Sequence, residues 1–290
     1  MSIAGGIDRA PERARRAGAD ALQVFTATPR RRAVASPSPE AVEAFRAARR
    51  RLGIRVAAAH EGYLINLATD DEELYRRSVE AFRAELARAR DLGLDFLVAH
   101  PGNATGGDAP AALARNAAAV AGALAACPDA PVVLFETTAG AGTALGARFE
   151  ELARLLDLLP REAADRAGVC LDTAHVYAAG YDLRADAAGV LDELDRTVGL
   201  DRLRLLHCND SRGALGSRRD RHAEIGEGEI GEGGFRGLLA DPRIAAVPRI
   251  LETPMGDDPE ASIRRNLERL RRLGGRPAGP ARPAGSACPR

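Results

Sequence analysis

Seven short apolar runs recur along this chain at nearly even intervals, and that rhythm limits the fold more than any other feature. The runs are residues 21–26 (ALQVFT), 54–60 (IRVAAAH), 95–100 (DFLVAH), 132–136 (VVLFE), 168–172 (GVCLD), 203–207 (LRLLH) and 249–252 (RILE). Runs this short suit buried strands, and the longer Ala-, Arg-, Glu- and Leu-rich segments between them suit amphipathic helices. Start signals agree: Ser38-Pro39 precedes residues 40–51, and Thr69 with Glu72 forms a candidate capping box before residues 73–92. Strand ends fall 34 to 45 residues apart. That alternation predicts parallel β/α units, and at 290 residues a (β/α)₈ TIM barrel is the best fit. Eight helical segments, including residues 8–17 and 261–273, accompany only seven strands. Either the first strand is missing from this chain or the barrel closes with seven. One domain is expected over residues 1–273, followed by a disordered Pro/Gly/Ala-rich tail over residues 274–290.

The strand ends carry the chemistry. Six of the seven runs finish in His60, His100, Glu136, Asp172, His207 or Glu252. Parallel barrels hold their functional groups at the C-terminal ends of the strands, so these side chains should converge. A single histidine in such a place more often caps a strand end. His, Asp and Glu make up only 46 of 290 residues, however, too few to end six strands by chance. His175 follows Asp172 by three residues in D-T-A-H, on the turn leaving the strand, and Asp220 and His222 stand as D-R-H in a loop. All five histidines and four carboxylates thus fall into one candidate cluster. Imidazole with carboxylate suits zinc or manganese, and nine ligands exceed what one ion takes, so two or three ions are expected. Such a site is usual apparatus for hydrolysing a phosphoester.

Composition removes several alternatives. There is no lysine: all 41 basic residues are arginine, balanced by 41 Asp and Glu. Schiff-base catalysis by a lysine and a P-loop are both excluded. Zero net charge leaves no basic footprint for nucleic acid, although several divalent cations in one pocket would still attract a phosphodiester. No run reaches the roughly 18 uninterrupted apolar residues of a membrane span. The nearest, residues 111–127, is broken by Arg115 and Asn116. The N-terminus has no apolar h-region, and four cysteines without framework spacing suit a reducing compartment, so a cytoplasmic location is expected. Residues 226–231 (GEGEIG) match G-x-G-x-x-G but follow no strand, and are read as a flexible loop near D-R-H. Cys170 shares a strand face with Asp172, which makes it a minor candidate ligand.

These motifs together resemble the endonuclease IV family of abasic-site DNA repair enzymes, over nearly the whole chain. The resemblance rests on H-E-G-Y-L-I-N-L from His60, A-H-P-G from Ala99, F-E-T-T-A-G-A-G from Phe135 and C-L-D-T-A-H-V-Y-A-A-G-Y-D from Cys170. It continues through H-C-N-D from His207, G-S-R-R-D-R-H from Gly216 and L-E-T-P from Leu251. It implies a TIM barrel holding about three Zn²⁺, with Mn²⁺ an alternative at one position. His60, His100 and Glu136 would hold the first ion. Glu136 would bridge to a second, completed by Asp172, His207 and Glu252. His175, Asp220 and His222 would hold the third. The implied reaction is hydrolysis of the phosphodiester 5′ to an abasic site in double-stranded DNA, leaving a 3′-hydroxyl, as part of base excision repair. The Glu136-bridged pair would generate the nucleophile, Glu252 would help orient it, and the third ion would stabilise the departing oxygen. Arg30, Tyr63 and Leu64 match the family's DNA-inserting positions, although Thr28 and Pro29 stand where the family often has polar amides. A monomer is expected.

One departure stands out. Family members open with a strand reading roughly G-A-H-x-S, ahead of the S-I-A-G-G that begins here at Ser2. A start assigned too late or a real truncation would account for the strand deficit, and either predicts an open seam between residues 21–26 and 249–252. Two other functions compete. A metal-dependent sugar isomerase or epimerase on the related barrel needs one or two ions and would leave His175, Asp220 and His222 unused. An inactive damage-binding protein is the third reading.

Overall fold

Seven parallel strands stand side by side in the order of the sequence. The computed structural model describes residues 1–27 and 36–275; Arg30 and residues 276–290 of the expected tail lie outside them. The strands of the large sheet are β1 (Ala21–Phe25), β2 (Val56–His60), β3 (Phe96–Ala99), β4 (Val132–Glu136), β5 (Ala167–Asp172), β6 (Leu203–His207) and, after a small hairpin, β9 (Arg249–Ile250). The hairpin pairs β7 (Asp210–Ser211) antiparallel with β8 (His222–Ala223). The helices are α1 (Arg9–Arg16), α2 (Pro39–Arg51), α3 (Glu72–Asp91), α4 (Ala109–Ala126), α5 (Phe149–Leu158), α6 (Arg161–Ala164), α7 (Thr173–Ala179), α8 (Ala187–Thr197), α9 (Gly231–Ala240) and α10 (Pro259–Leu273).

Strand alternation divides the side chains between two cores. Ala58, Val98, Leu134, Cys170, Leu205 and Ile250, one from each of β2 to β6 and β9, pack together on the inner face of the sheet. Their neighbours Ala57, Ala59, Leu97, Val133, Phe135, Val169 and Leu206 point the other way, into the larger core shared with the helices. A period of two explains both sets, and also why these strands read as nearly continuous apolar runs.

The sheet stops short of closing. β1 is bonded only to β2, and β9 only to β6. The edges of β1 and β9 face each other across a cleft lined by Leu22, Val24, Arg249, Ile250 and Met1, part of a cavity of about 330 Å³. The N-terminal amine reaches into it and donates to the Gln23 carbonyl. This is the open seam that the strand count predicts.

Several local expectations need correction. The Thr69–Glu72 capping box does not form: Asp71 caps α3 by accepting from Leu74 N (2.9 Å), and the Thr69 hydroxyl instead accepts from Asp71 N and meets Thr105. Asp competes well with Thr for such a position because its carboxylate is the stronger acceptor near the positive helix end. The D-T-A-H turn is helical, forming the start of α7. His222 opens a strand rather than lying in a loop. Residues 226–231 are no loose loop, since their backbone N–H groups wrap the buried Asp210 carboxylate. By length and composition α4 is long and apolar enough to cross a membrane, alone among the described helices. Here it buries Ala112, Leu113, Ala117, Val120, Ala123 and Leu124 in the core.

Candidate metal centre

The inner apolar layer predicts where the polar cluster must lie. Two residues beyond Ala58, Val98, Leu134, Cys170, Leu205 and Ile250 come His60, His100, Glu136, Asp172, His207 and Glu252. The strand period returns each to the inner face, one step nearer the C-terminal mouth. On β1, Phe25 stands level with His60 and Gln23 with Ala58. The six polar side chains therefore form a ring above an apolar floor.

Glu136 sits at its centre, fully buried. His60 Nε2 and His100 Nε2 lie 3.0 and 3.2 Å from its Oε2, and His207 Nδ1 lies 2.8 Å from Oε1. His207 Nδ1 also stands 3.3 Å from Glu252 Oε2 and 3.9 Å from Asp172 Oδ2. A second centre adjoins this one. Asp220 Oδ1 lies 3.3 Å from His175 Nε2 and 3.2 Å from His222 Nε2, while Asp172 Oδ2 is 3.7 Å from His222 Nε2. Three groups of donor atoms arise, each within 4.8 Å of one another: His60, His100 and Glu136; Glu136, Asp172, His207 and Glu252; and Asp172, His175 and His222. The nine residues singled out from sequence converge in one pocket. Asp172 reaches toward two of these groups, and Cys170 joins Glu136 and His207 in a fourth.

Local structure delivers the residues that strands do not carry. Asp172 ends β5 and caps α7, accepting from Ala174 N (2.7 Å) and His175 N (3.0 Å). That cap turns the chain into a helix at once, and the three-residue step brings His175 back over the barrel mouth. The β7–β8 hairpin does the same for Asp220 and His222.

Hydrogen bonds behind the imidazoles set their tautomers. His60 Nδ1–H donates to Glu61 O (2.9 Å), His175 Nδ1–H to Thr137 O (2.8 Å), His222 Nδ1–H to Glu252 O (3.0 Å), and His207 Nε2–H to Gln23 Oε1 (2.9 Å). In each case the other nitrogen turns its lone pair toward the cluster, the arrangement that metal-ligating histidines adopt. His222 Nε2 is buried without a hydrogen bond. Lone pairs aimed at carboxylates repel unless a cation lies between them, so this donor set fits divalent ions.

Without ions, protons must take that place. Burial pulls His60 down, but the hydrogen bond and charge of Glu136 outweigh it and leave the imidazole at about 9. His222 is likewise raised to about 9, against burial, by Asp172 and Asp220. Burial pushes Glu252 and Glu136 up, yet His207 and its neighbours hold Glu252 at about 2 and Glu136 well below the carboxylate range. The His175 and His222 imidazoles beside it hold Asp220 low as well. Burial drives the Cys170 thiol up to about 12, so it is no ready thiolate.

Four supporting residues stand outside the nine: Glu61, Thr137 and Asn209 lie in the motif stretches, and Gln23 lies in none. Gln23 donates from Nε2 to Glu252 Oε1 (2.6 Å) while accepting from His207. Asn209 donates to Asp172 Oδ2 (2.6 Å) and accepts from Glu252 N (2.7 Å). Thr137 accepts from Asp172 N, and the buried Glu61 carboxylate accepts from His100 N. Each is a common polar residue whose importance comes only from its neighbours.

Known proteins resemble this chain to different degrees. Residues 11–273 match the xylose isomerase-like TIM barrel family. A relative named probable endonuclease 4, from Chloroflexus aurantiacus, is 47% identical over 277 residues, spanning 94% of this chain and 96% of that one. The chain belongs to the endonuclease IV family. The crystal structure of endonuclease IV from Thermus thermophilus superposes with a TM-score of 0.83 at 42% identity, covering 94% of this chain and 96% of the other. D-psicose 3-epimerase from Clostridium cellulolyticum has a TM-score of 0.68 at 16% identity, covering 94% and 95%, and shares the fold alone.

The rim of this endonuclease IV barrel carries exposed apolar and arginine side chains. Tyr63 (63% exposed) and Leu64 (38%) follow β2, and Tyr63 stands edge-on to Phe25 at 5.3 Å between ring centroids. Residues 212–221 join β7 to β8 and expose Arg212, Arg218, Arg219 and Arg221. Among the described residues no carboxylate pairs with any of these four guanidinium groups. On the helices many arginines pair with acids, as in Arg76–Glu80 and Arg236–Glu232, while others such as Arg83 and Arg154 do not. Zero net charge thus conceals a local group of four exposed, unpaired arginines at the rim.

Proposed function

We propose that this chain hydrolyses the phosphodiester 5′ to abasic sites in double-stranded DNA, leaving a 3′-hydroxyl, as a base excision repair endonuclease. The observation that carries this reading is the convergence of five histidines and three carboxylates into three adjoining donor groups at the barrel mouth, with Asp220 beside His175 and His222. His60, His100 and Glu136 would hold one zinc; Glu136, Asp172, His207 and Glu252 a second; His175, Asp220 and His222 a third, with Asp172 close by and manganese an alternative at one position. Bound divalent cations supply a nucleophile at neutral pH and neutralise charge on the departing oxygen. Glu136 spans the first two groups through its separate oxygens. Glu252, half-buried and gripped by Gln23, is the carboxylate free to orient a water at the pocket mouth.

Substrate recognition falls to the rim. Tyr63 and Leu64, apolar and exposed beside the site, are suited to enter the gap in the base stack that an abasic sugar leaves. Arg30 lies outside the described residues and keeps that role on resemblance alone. The exposed arginines of residues 212–221 suit phosphates flanking the lesion. The chain is taken to work as a monomer in the cytoplasm, where Cys127, Cys170 and Cys208, free in the structure, stay reduced. An epimerase would leave the His175–Asp220–His222 group without a task, and a binding protein would need no such density of ligands.

Nicking of a duplex with one abasic analogue tests the proposal. Chelated protein should be inactive and zinc should restore cutting. Borohydride should trap no covalent adduct on a side chain, because the chain has no lysine to form an imine. Cutting that survives complete metal removal would sink the reading.

A further inference from the structure

The Gly-rich segment at residues 226–231 matches a phosphate-binding pattern, yet an internal anion already occupies it. Asp210 is fully buried. Its Oδ1 accepts from Ser211 N (2.8 Å) and Ile230 N (3.0 Å). Its Oδ2 accepts from Gly226 N (2.9 Å), Gly228 N (3.0 Å) and Gly231 N (3.2 Å). Another donor of the segment, Glu229 N, goes to Ser211 O at 2.7 Å. No cationic side chain pairs with Asp210 among the described residues, so backbone dipoles alone meet its charge, as they do for a bound anion.

The glycines follow from that wrapping. A Cβ on Gly228 would collide with Ser211 O and stand 2.6 Å from Asp210 Oδ1. Gly226 and Gly231 adopt φ of +79° and +67°, where other residues are strained. The helix that follows, α9, has no side-chain cap of its own at Ile230, and Asp210 supplies one from another element.

Asp210 also belongs to the hairpin that bears two site residues. Its backbone is paired with Ala223, and Ser211 with His222. The ladder is only two residue pairs long and spans a ten-residue excursion, too little to hold itself in place. One carboxylate therefore ties β7, the exit from β8 and the start of α9 together directly behind His222.

We propose that Asp210 is the positioning residue of the third metal group: by gathering residues 226–231 it holds the hairpin so that Asp220 and His222 meet His175. This inference rests on the three-ion reading above, and wild-type metal content separates the two. Fewer than three tightly held ions in the wild type would defeat that reading and this one with it. Given three, elemental analysis of Asp210→Asn should find two ions retained and the third weakened by about 10–100-fold, the usual effect of losing a group behind a ligand. Gly228→Ala, which displaces the loop without altering charge, should do the same. Asp186→Asn removes an exposed carboxylate cap, bonded to Gly189 N at 2.8 Å on α8, and should leave all three ions in place. Amide exchange of the metal-free protein gives a second readout: Gly226, Gly228, Ile230 and Gly231 should lose protection in Asp210→Asn while β3 and β4 keep theirs. The proposal is overturned if both variants keep three ions at wild-type affinity. It is equally overturned if all three ions weaken in parallel with global unfolding, since Asp210 would then be a stability element only.

Discussion

Gln23 is a neutral amide on an edge strand, yet it fixes the orientation of two charged site residues at once. Its Nε2 holds Glu252 and its Oε1 sets the His207 tautomer. Gln23→Leu leaves both unpartnered, and we expect about 10–100-fold losses in zinc affinity or turnover, the range for such supporting groups. Zinc titration against a competing chelator and single-turnover cleavage check it. Glu252→Gln keeps shape and removes charge. Its kcat should fall far more than its affinity for abasic DNA, because the proposed role belongs to the transition state. Equal losses in both would move Glu252 to a binding role.

At the scale of elements, a period-two strand fills a floor and arms a site with the same face. Leu134→Ala removes part of that floor beneath Glu136 and should cost about 2–5 kcal/mol in urea unfolding, from lost burial and an unfilled cavity. Metal content should change little, since Glu136 lies one step above the deletion. The helices and the rim loop should also respond differently to loss of charge. Arg76→Gln breaks exposed pairs and should shift stability by under about 1 kcal/mol, without effect on DNA. Arg218→Ser and Arg219→Ser should weaken binding to any duplex and lower the slope of log affinity against log salt by about one each. An unchanged slope would place residues 212–221 off the DNA path.

For the whole molecule, proton and metal compete for one cluster. His60 and His222 rise from 6.5 to about 9 on folding without metal, so their stabilisation is complete below pH 6.5 and lost as pH climbs through 9. Glu252 falls from 4.5 to about 2, so its contribution is present above pH 4.5 and lost as pH drops through 2. The metal-free Tm should therefore peak between pH 4.5 and 6.5 and decline toward pH 9. Zinc displaces those protons and should reverse the decline. Melting curves across pH with and without chelator decide this, and a metal-free Tm that rises toward pH 9 would refute the assignment. The seam makes a separate statement about cooperativity: amides of β1 and β9 should exchange faster than those of β3 and β4, which are bonded on both sides.

Most of the barrel and all nine converging residues are legible in the sequence because they obey a local rule. Parallel β/α units repeat at a nearly even spacing, and a strand alternates inward and outward, so a polar residue two steps past an inner Ala58 or Leu134 has only one place to go. His175 is legible for a related reason, since a cap on Asp172 and a short helical step are both local. What the chain order does not encode is which distant groups meet. Gln23 and Glu252 lie 229 residues apart, and nothing in ALQVFT marks the glutamine. Asp71 rather than Thr69 caps α3, and the Thr69 hydroxyl instead meets Thr105, a partner that only the fold brings in. The glycines of GEGEIG suggest an anion from outside, and only packing shows that Asp210 supplies it from within. Charge follows the same division: composition determines that acids and arginines balance, while tertiary structure decides which of them pair and leaves Arg212, Arg218, Arg219 and Arg221 unpaired at the rim. Periodicity acts between neighbours and survives in one dimension, and so does the strand count that leaves β1 and β9 unjoined; hydrogen bonds and ion pairs depend on three-dimensional proximity, which only the folded chain creates.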